Sequence, residues 1–448
     1  MGILEPKEMA LARFCLDAAL RKGAQKARIA LSKSTMDLVG TLNGEIDKVT
    51  RCLDRSLSVV LFVDGRFGSF SLNRLEEAEI EAFLDRAVAT VRLLAPDRFR
   101  DLAAPERTAK NAAGGRELDL CDPAYGTMTP DRRLSLALGA SLFKGCDPGG
   151  GVRLVSEEAE SSDSLVDSYL IDSNGLECRH TETAFEYGVE MTVADAEGTK
   201  YSGYWWDSAV ALKDLDLASC CPTALRKACA QVGPKRRRSG RYRIVVDSSV
   251  ASRLVTPVLS ALSAYAIQQE NSFLAGCAGR KVFPEGMTLV DDCHIPGQSG
   301  SRLFDSEGVA TRPHTIIGAG TVEEYFVNTY MAGKMGIPPT VEDATRPRLL
   351  PWPLPGLSQQ DLLARCGDGI LITGFNGGNS NSSTGDFSYG IEGFAFKGGK
   401  ITHPVKEMLL TGNFITLWNS LLAVADDARP CMSKLIPTLA FDKADLSG

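Results

Sequence analysis

Histidine, the side chain that most often binds catalytic zinc, is rare in this sequence. It occurs at His180, His294, His314 and His403, and no two of these are closer than 20 residues. A zinc peptidase helix of the H-E-x-x-H kind places two imidazoles on one face, with a glutamate beside them as the base. The sequence excludes that arrangement.

A second candidate for metal chemistry is the run Asp291-Asp292-Cys293-His294, which carries four metal-binding side chains in a row. Consecutive residues of a strand point to opposite faces, so these four side chains cannot all reach one ion. We therefore expect no metal ion at this run.

Signals for a nucleophile are equally few. The sequence contains no G-x-S-x-G motif, and Ser141 and Lys144 match S-x-x-K without its companion motifs. The S-x-x-K spacing places a lysine one helical turn after a serine. We interpret the pair as part of a surface helix.

The most unusual composition lies between Gly374 and Gly390, in the run GFNGGNSNSSTGDFSYG. A phosphate-binding loop would end in Lys followed by Ser or Thr, and a dinucleotide fingerprint would open a helix. The run does neither, because it ends in Asp386-Phe387 and the next residues, 391–396, are typical of a strand. We predict a long loop after a short buried strand at 370–373, with residues that line a cavity or an interface: Gly374, Asn376, Gly377, Gly378, Asn379 and Asp386.

Composition limits the class of protein. The chain has 448 residues, 44% hydrophobic and 23% charged, with a net charge of −7, which predicts two or three domains and no general attraction to nucleic acid. No apolar run reaches the ~20 residues of a membrane helix, and no secretory signal is visible. The twelve cysteines include no C-x-x-C. We expect reduced thiols and a cytoplasmic location.

The N-terminal half predicts α+β structure. A helix over 7–22 precedes strands joined by turns at Asn43-Gly44 and Asp64-Gly65, and a helix over 75–94 follows, with Asn73 and Glu76 at capping-box spacing. A similar order follows a polar linker: a helix over 130–144, strands over 152–206 with turns at Asn174-Gly175 and Glu197-Gly198, and a helix over 224–232. We predict an N-terminal unit (1–95), a linker (96–118), a second unit (119–233) and a β-rich C-terminal domain (234–448). Internal duplication and chance spacing of common turn residues remain equal explanations for the repeated plan.

The C-terminal domain opens with six cations in the ten residues 234–243, which we interpret as a solvated linker rather than a nucleic-acid patch. A strand at 242–246 follows. Apolar positions from Leu254 to Ala266 predict one helix starting near Ser248, with a kink at Pro257. Beyond it we expect mainly strands and turns, with one helix over 322–334.

Several longer segments carry a resemblance to a known family. NGEIDKVTRCLDRSLSVVLFVDGRFGSFSLNRL (43–75), SFLAGCAGRKVFPEGMTLVDD (272–292), FDSEGVATR (304–312) and TGDFSYGIEGFAFKGGKITHPVKEMLLTGN (384–413) resemble the TldD/PmbA family, once named modulators of DNA gyrase. The likeness spans nearly the whole chain in the expected order.

The family has two branches, and TldD-type members carry a zinc-binding H-E-x-x-x-H helix. In a match without gaps to Phe273, Leu262 and Ile267 stand where the histidines would be, and Ser263 stands where the glutamate would be. Leu and Ile have no lone pair to give to zinc, and Ser does not replace a carboxylate base. The chain is thus similar to the PmbA/TldE branch, which lacks the metal.

The resemblance implies a subunit with no cofactor of its own and no catalytic residue. It would pair with a TldD-like chain that supplies zinc, and the heterodimer would cleave unfolded or extended polypeptides. Alone, the chain would form a homodimer. Two other interpretations stay open: a stand-alone hydrolase with an unrecognised site, and a regulator that binds DNA gyrase or DNA.

Overall fold

A computed structural model describes residues 2–448 of the chain. The first unit comprises five elements, as the sequence predicts: α1 (Pro6–Arg21), β1 (Lys26–Leu42), β2 (Glu45–Val63), β3 (Arg66–Leu72) and α2 (Glu77–Val91). Asn43 and Asp64 adopt positive φ angles of 55° and 50° and are followed by glycines with φ of 73° and 71°, which is the geometry of tight hairpin turns.

The capping box predicted for α2 is wrong. Glu76 is itself the N-cap residue, and it makes no side-chain capping bond. At α1 the Glu8 side chain accepts from the amide of Glu5 at 3.0 Å, and the amide of Glu8 donates to the backbone carbonyl of Glu5. A capping box with both side-chain bonds joins Ser358 and Asp361 in the C-terminal domain, at 3.2 and 2.8 Å.

The second unit repeats the plan with α3 (Pro130–Gly139), β4 (Arg153–Asp172), β5 (Glu177–Ala194), β6 (Lys200–Ala209) and α4 (Leu217–Ala230). Short 3-10 helices precede α3 (Pro123–Thr127) and α4 (Leu212–Asp214).

The six strands form one antiparallel sheet in the order β3-β2-β1-β4-β5-β6. The units join where β1 pairs with β4, from Arg28 opposite Asp172 to Leu42 opposite Glu158. Both units therefore have the same element order and the same strand order, outward from a shared centre. The helices α1 and α2 pack on the alternating apolar residues of β1 and β2, and α4 packs on β5.

Residues 96–118 have no helix or strand, but the segment is packed. Leu102, Ala103 and Ala112 are buried, and Thr108 forms an isolated bridge with Val309 of the C-terminal domain. The segment contributes to the contact between the N-terminal sheet and the C-terminal domain.

The C-terminal domain is built on a barrel. Its helices are α5 (Ser252–Ala261), α6 (Ala264–Gln268), α7 (Thr329–Met335), α8 (Gln359–Cys366) and α9 (Phe414–Trp418). Its strands are β7 (Gly240–Val246), β8 (Leu289–Asp291), β9 (His314–Gly318), β10 (Thr321–Val322), β11 (Pro347–Leu349), β12 (Gly369–Ser380), β13 (Asp386–Lys397), β14 (Lys400–Asn413), β15 (Leu421–Val424) and β16 (Leu439–Ser447).

The large sheet has the order β14-β13-β12-β7-β16-β15, and a further pairing of β14 with β16 closes it into a barrel. A smaller sheet, β10-β9-β8-β11, lies beside it. The buried face of α5, with Leu254, Val255 and Val258, packs into the core. The indole N–H of the fully buried Trp418 donates to the carbonyl of Leu254 at 3.3 Å and so ties α9 to α5.

Two predicted helices differ from the structure. The helix expected from Ser248 is interrupted after Ala261, because the backbones of Leu262 and Ala264 bond to that of Phe326 and so end the helical pattern. The helix expected over 322–334 begins only at Thr329, because Thr321 and Val322 form β10 and Phe326 pairs with Ser263.

No helix within residues 2–448 is long and apolar enough to cross a membrane.

Candidate functional site

A cavity of about 410 Å³ lies between α5 and the hairpin formed by β12 and β13. We call it the α5 cavity. Its walls come from five parts of the domain: the exposed face of α5, α6, the segment that follows α6, the hairpin and the first residue of α9. They are lined by Arg253, Thr256, Pro257, Ser260, Ala261, Ala266, Asn271, Phe273, residues 378–382, Tyr389 and Phe414.

The face of α5 that lines the cavity follows from its sequence. Arg253, Thr256 and Ser260 are exposed and recur at helical spacing, whereas the opposite face of the helix is apolar and buried. The Thr256 hydroxyl donates to the carbonyl of Ser252 at 2.9 Å. Sequence reasoning missed these residues, although their polar spacing within an apolar stripe was a visible signal.

The rings of Phe273, Tyr389 and Phe414 form the floor of the cavity, and Phe387 packs against the last two from outside the lining. Phe387 stacks on Phe414 with 4.6 Å between centroids and on Tyr389 with 5.2 Å, and Phe273 stacks on Phe414 at 5.8 Å. The guanidinium of Arg253 lies 4.7 Å from the Tyr389 ring centre, within cation–π range. These contacts hold the single cation of the cavity wall in place.

The glycine-rich run is a hairpin rather than the long loop that we predicted. Strand β12 continues to Ser380, and only residues 381–385 form the turn. The pairing between β12 and β13 is maintained through two bulges, between Ile372 and Gly374 and between Phe375 and Gly378. A bulge absorbs the extra residues, so a run of Gly, Asn and Ser remains in the sheet.

The predicted residues of this run are distributed over the hairpin. Gly378 and Asn379 line the α5 cavity. Gly374 and Gly377 lie in β12 outside it, and the Asn376 amide donates to Glu392 at 3.3 Å. Asp386 begins β13.

Hydrogen bonds fix the hairpin tip. The Asp386 carboxylate accepts from Asn413 at 2.9 Å and from the Thr384 hydroxyl at 2.8 Å, and these bonds lower the pKa of Asp386. The amide of Phe273 donates to the carbonyl of Ser382 at 2.9 Å. The tip is thereby tied both to α9 and to the segment after α6.

The positions matched to the zinc motif do not share a helix. Leu262 is fully buried at the end of α5, Ser263 is extended with φ −68° and ψ 125°, and Ile267 lies in α6. Our interpretation that the three stand on one helix is wrong, because of the break at Phe326 described above.

The residues that line the α5 cavity include no histidine, cysteine, aspartate or glutamate. Within residues 2–448, no three such side chains are arranged to hold a metal ion. The lining offers one guanidinium, hydroxyl and amide groups and exposed backbone. These groups bind polar or anionic parts of a ligand through hydrogen bonds, and they supply no ligand that zinc prefers.

In the run at 291–294 the two aspartates have separate partners. Asp291 accepts from the amides of Thr345 and Arg346 at 2.9 and 2.6 Å, and Asp292 pairs with Arg348 at 3.1 Å. Burial raises the pKa of Asp291.

The imidazole of His294, in the same run, lies 2.9 Å from the Thr311 hydroxyl. Burial lowers the pKa of His294. The contacts of this run therefore belong to the packing of the small sheet.

The S-x-x-K pair is not on a helix, contrary to our interpretation. Helix α3 ends at Gly139, and the amide of Leu142 donates to the buried Glu157 at 2.9 Å. This bond draws the chain away from the helix axis before Lys144 is reached.

Three comparisons with known proteins all match this chain to the same protein family. Residues 27–91, 125–232 and 239–448 match domain 1, the central domain and the C-terminal domain of the PmbA/TldA metallopeptidases. The Metalloprotease PmbA of Escherichia coli is 26% identical over 92% of this chain and 91% of its own length, and the homologue from Haemophilus influenzae is 25% identical over 97% and 95%.

Solved structures share the fold. A Bacteroides thetaiotaomicron protein named as a candidate modulator of DNA gyrase is 37% identical, with a TM-score of 0.94 over the whole of both chains. TldE of Thermococcus kodakarensis matches with a TM-score of 0.83 over 98% of this chain and all of its own at 18% identity, which shows the fold alone.

The fold, a paired α+β sheet joined to a β-barrel domain, is that of a metallopeptidase-like protein. This chain belongs to the PmbA/TldD family.

Proposed function

We propose that this chain is the zinc-free, PmbA/TldE-like subunit of a two-chain metallopeptidase that acts on unfolded or extended polypeptides in the cytoplasm. A TldD-like chain is the partner and carries the zinc. In the absence of that partner the chain forms a homodimer.

The chemistry of the α5 cavity carries the proposal. Its helix presents Arg253, Thr256 and Ser260, and the positions matched to the motif by sequence are Leu262, Ser263 and Ile267. A zinc peptidase needs imidazole or carboxylate ligands and a carboxylate base for the attacking water. Neither the exposed residues of α5 nor the three matched positions provide zinc ligands or a carboxylate base.

The same cavity suggests what this subunit contributes. Hydroxyls, side-chain amides and the exposed backbone of residues 378–382 match the hydrogen-bonding groups of a peptide main chain, and the aromatic floor accepts apolar side chains. Arg253 adds a charge-assisted donor for a carboxylate of the substrate. Zinc bound in the partner would polarise the scissile carbonyl, and this chain would hold and enclose the polypeptide.

The first experiment measures zinc and peptidase activity in the purified chain, with an unfolded protein as substrate, before and after addition of a zinc-loaded TldD-like chain. We expect no stoichiometric zinc and no activity alone, and activity after assembly. Stoichiometric zinc with activity in the chain alone would overturn the proposal and favour a stand-alone hydrolase. Failure to assemble with any TldD-like chain would also overturn it.

The α5 cavity is tested in the assembled enzyme with Arg253→Ala. Loss of one charge-assisted contact to substrate should lower kcat/KM by about tenfold while assembly is unchanged. Arg226→Ala is the matched control, because Arg226 is exposed on α4, outside the residues that line the cavity. An unchanged kcat/KM in Arg253→Ala would exclude this cavity from substrate binding.

A further inference from the structure

Strand β2 has a long exposed edge at its N-terminal half. Strand β1 pairs with β2 along nearly its whole length, but β3 covers only Leu57–Val63 on the other side. Residues 45–54 are all exposed. We call residues 45–56 the β2 edge.

The β2 edge exposes three large apolar side chains among six charged residues. Val49 and Leu53 are 65% and 67% exposed, and Ile46 is 45% exposed. Proteins usually protect an edge of this length with a bulge, a proline, charges or a covering element, because its free N–H and C=O groups bind other strands. The pairing with β1 contains one bulge, which leaves Asp47 of β2 without a partner in β1, and residues 48–56 continue beyond it with no proline. The charges of the edge are of both signs: Glu45, Asp47, Lys48, Arg51, Asp54 and Arg55.

We propose that the β2 edge binds the β2 edge of a second copy of this chain in antiparallel orientation. The two six-stranded sheets would then become one continuous sheet across a two-fold axis. This proposal rests on the homodimer proposed above and names the surface that forms it.

The length of the edge and its charges select the register. A two-fold axis between antiparallel strands is normal to the sheet and keeps each side chain on its own face, and directly opposite residues share a face. The axis must therefore pass between two copies of the same residue, which near the middle of the edge is Thr50 or Arg51. The register centred on Thr50 places Asp47 opposite Leu53 and Lys48 opposite Cys52, so neither of these charges meets an opposite charge.

The register centred on Arg51 is complementary. It places Lys48 opposite Asp54, Val49 opposite Leu53 and Thr50 opposite Cys52, and each pair occurs twice. Opposite-charge and apolar pairs at these positions stabilise a sheet. The two Arg51 side chains meet at the axis, where each lies 3.8 Å from Asp37 of its own chain, a carboxylate that also pairs with Arg133 at 3.2 Å.

The test measures self-association of the full chain by sedimentation, with Lys48→Asp and Asp54→Lys. Each variant places like charges opposite each other twice, so each should weaken the dimer by about tenfold or more. An equimolar mixture of the two variants restores opposite charges at every such pair and should dimerise like the original protein. Two misfolded variants would not restore dimerisation when mixed, so rescue would show that positions 48 and 54 face each other across the interface.

Cross-linking tests the axis directly. In a Cys52→Ser background, Arg51→Cys should form a disulfide between copies under mild oxidation, because Cα atoms of opposite antiparallel residues lie about 4.5–5.5 Å apart, within disulfide range. Lys48→Cys in the same background is the matched control. It should not cross-link, because its equivalent in the second copy lies six residues along the strand, about 20 Å away.

Monomeric behaviour of the original protein would overturn both this proposal and the homodimer. A dimer that keeps its affinity in both charge variants, or that forms no Arg51→Cys cross-link, would overturn the β2 edge alone. Charge variants that dissociate without mutual rescue would overturn the register. The zinc assay fails or succeeds independently of all three results.

Discussion

The guanidinium of Arg179 donates two hydrogen bonds to the carboxylate of Asp167, from Nε to Oδ1 at 2.9 Å and from Nη2 to Oδ2 at 2.7 Å. Asp167 is fully buried and also accepts from the amides of Ile3 and Leu4 at 2.8 and 2.9 Å. One side chain thus joins β4, β5 and the segment before α1.

Replacement of this carboxylate should be costly. Asp167→Asn leaves a partly buried guanidinium without its counter-charge, and we expect a loss of about 3 kcal/mol in the free energy of unfolding. Urea denaturation measures it. Asp445→Asn is the control, since it breaks an exposed pair with Arg241 that is worth less than about 1 kcal/mol. Equal effects of the two variants would contradict the prediction.

Acid should reduce the difference in the free energy of unfolding between the wild type and Asp167→Asn. Burial alone would raise the pKa of Asp167, but the bonds from Arg179 and the two amides outweigh it and lower the pKa below the ordinary 3.8. The stabilisation is present above pH 3.8 and is lost as the pH falls through the lower, folded-state pKa. Urea denaturation from pH 6 to pH 2.5 would detect the convergence. A constant difference over that range would contradict it.

The carboxyl group of Asp305 should give the opposite pH dependence: it should stabilise the protein more at low pH than at high pH. Its burial raises the pKa to about 6, although the amides of Val309 and Glu342 donate to it. The folded state then binds more protons than the unfolded state between about pH 4 and 6. Stability from this group therefore falls as the pH rises through that range, by up to about 3 kcal/mol.

Asp305→Asn should remove this part of the pH dependence. Unfolding free energies at pH 5 and pH 7.5 provide the measurement, with Asp445→Asn again as the control. A difference between the two pH values that is equal in the variant and the wild type would show that Asp305 is not the group responsible.

Two adjacent glycines of β12 allow a matched comparison. Gly377 and Gly378 have φ of 105° and 98°, so alanine is strained at both. A Cβ on Gly378 would lie 2.0 Å from the Ser388 carbonyl oxygen, whereas a Cβ on Gly377 meets nothing within 4 Å. We expect Gly378→Ala to destabilise the protein by at least about 2 kcal/mol more than Gly377→Ala, measured by urea denaturation. Equal losses of unfolding free energy in the two variants would contradict the prediction and would show that the hairpin backbone shifts to make room for a Cβ at position 378.

The basic run at 234–243 should bind DNA poorly. Arg241 and Arg243 pair with Asp445 and Asp442 at 2.9 and 3.0 Å, and Arg236 pairs with Glu407. With the net charge of −7, we expect dissociation constants for duplex DNA weaker than about 10 µM at physiological salt in a mobility-shift assay. Tight binding with a steep salt dependence would favour the alternative of a gyrase or DNA regulator.

Local signals predicted much of this structure. The hairpin turns at Asn43-Gly44 and Asp64-Gly65 and the amphipathic patterns of α1 and α2 depend on neighbouring residues, and each lies where the sequence places it. The glycine-rich hairpin was wrongly assigned as a loop because its β structure depends on two bulges and on pairing with β13, which composition does not reveal.

The candidate site was harder to predict than the fold. The break at Leu262 depends on backbone bonds to Phe326, more than sixty residues away, so the periodicity of the helix continued past its real end. The position of Arg253 against Tyr389 likewise requires the barrel to bring α5 and β13 together. Only the polar spacing at Arg253, Thr256 and Ser260 was accessible from sequence.

The junction of β1 with β4 also affects biosynthesis. One edge of the seventeen-residue strand β1 pairs with β2, and the other edge pairs only with residues 158–172. In a nascent chain this second edge therefore stays unpaired until more than 170 residues have left the ribosome. Contacts of such long sequence separation form slowly, and strands exposed in the meantime associate with other chains. A fragment that stops after α2 would therefore be a poor expression target, and chaperone demand should peak before β4 emerges.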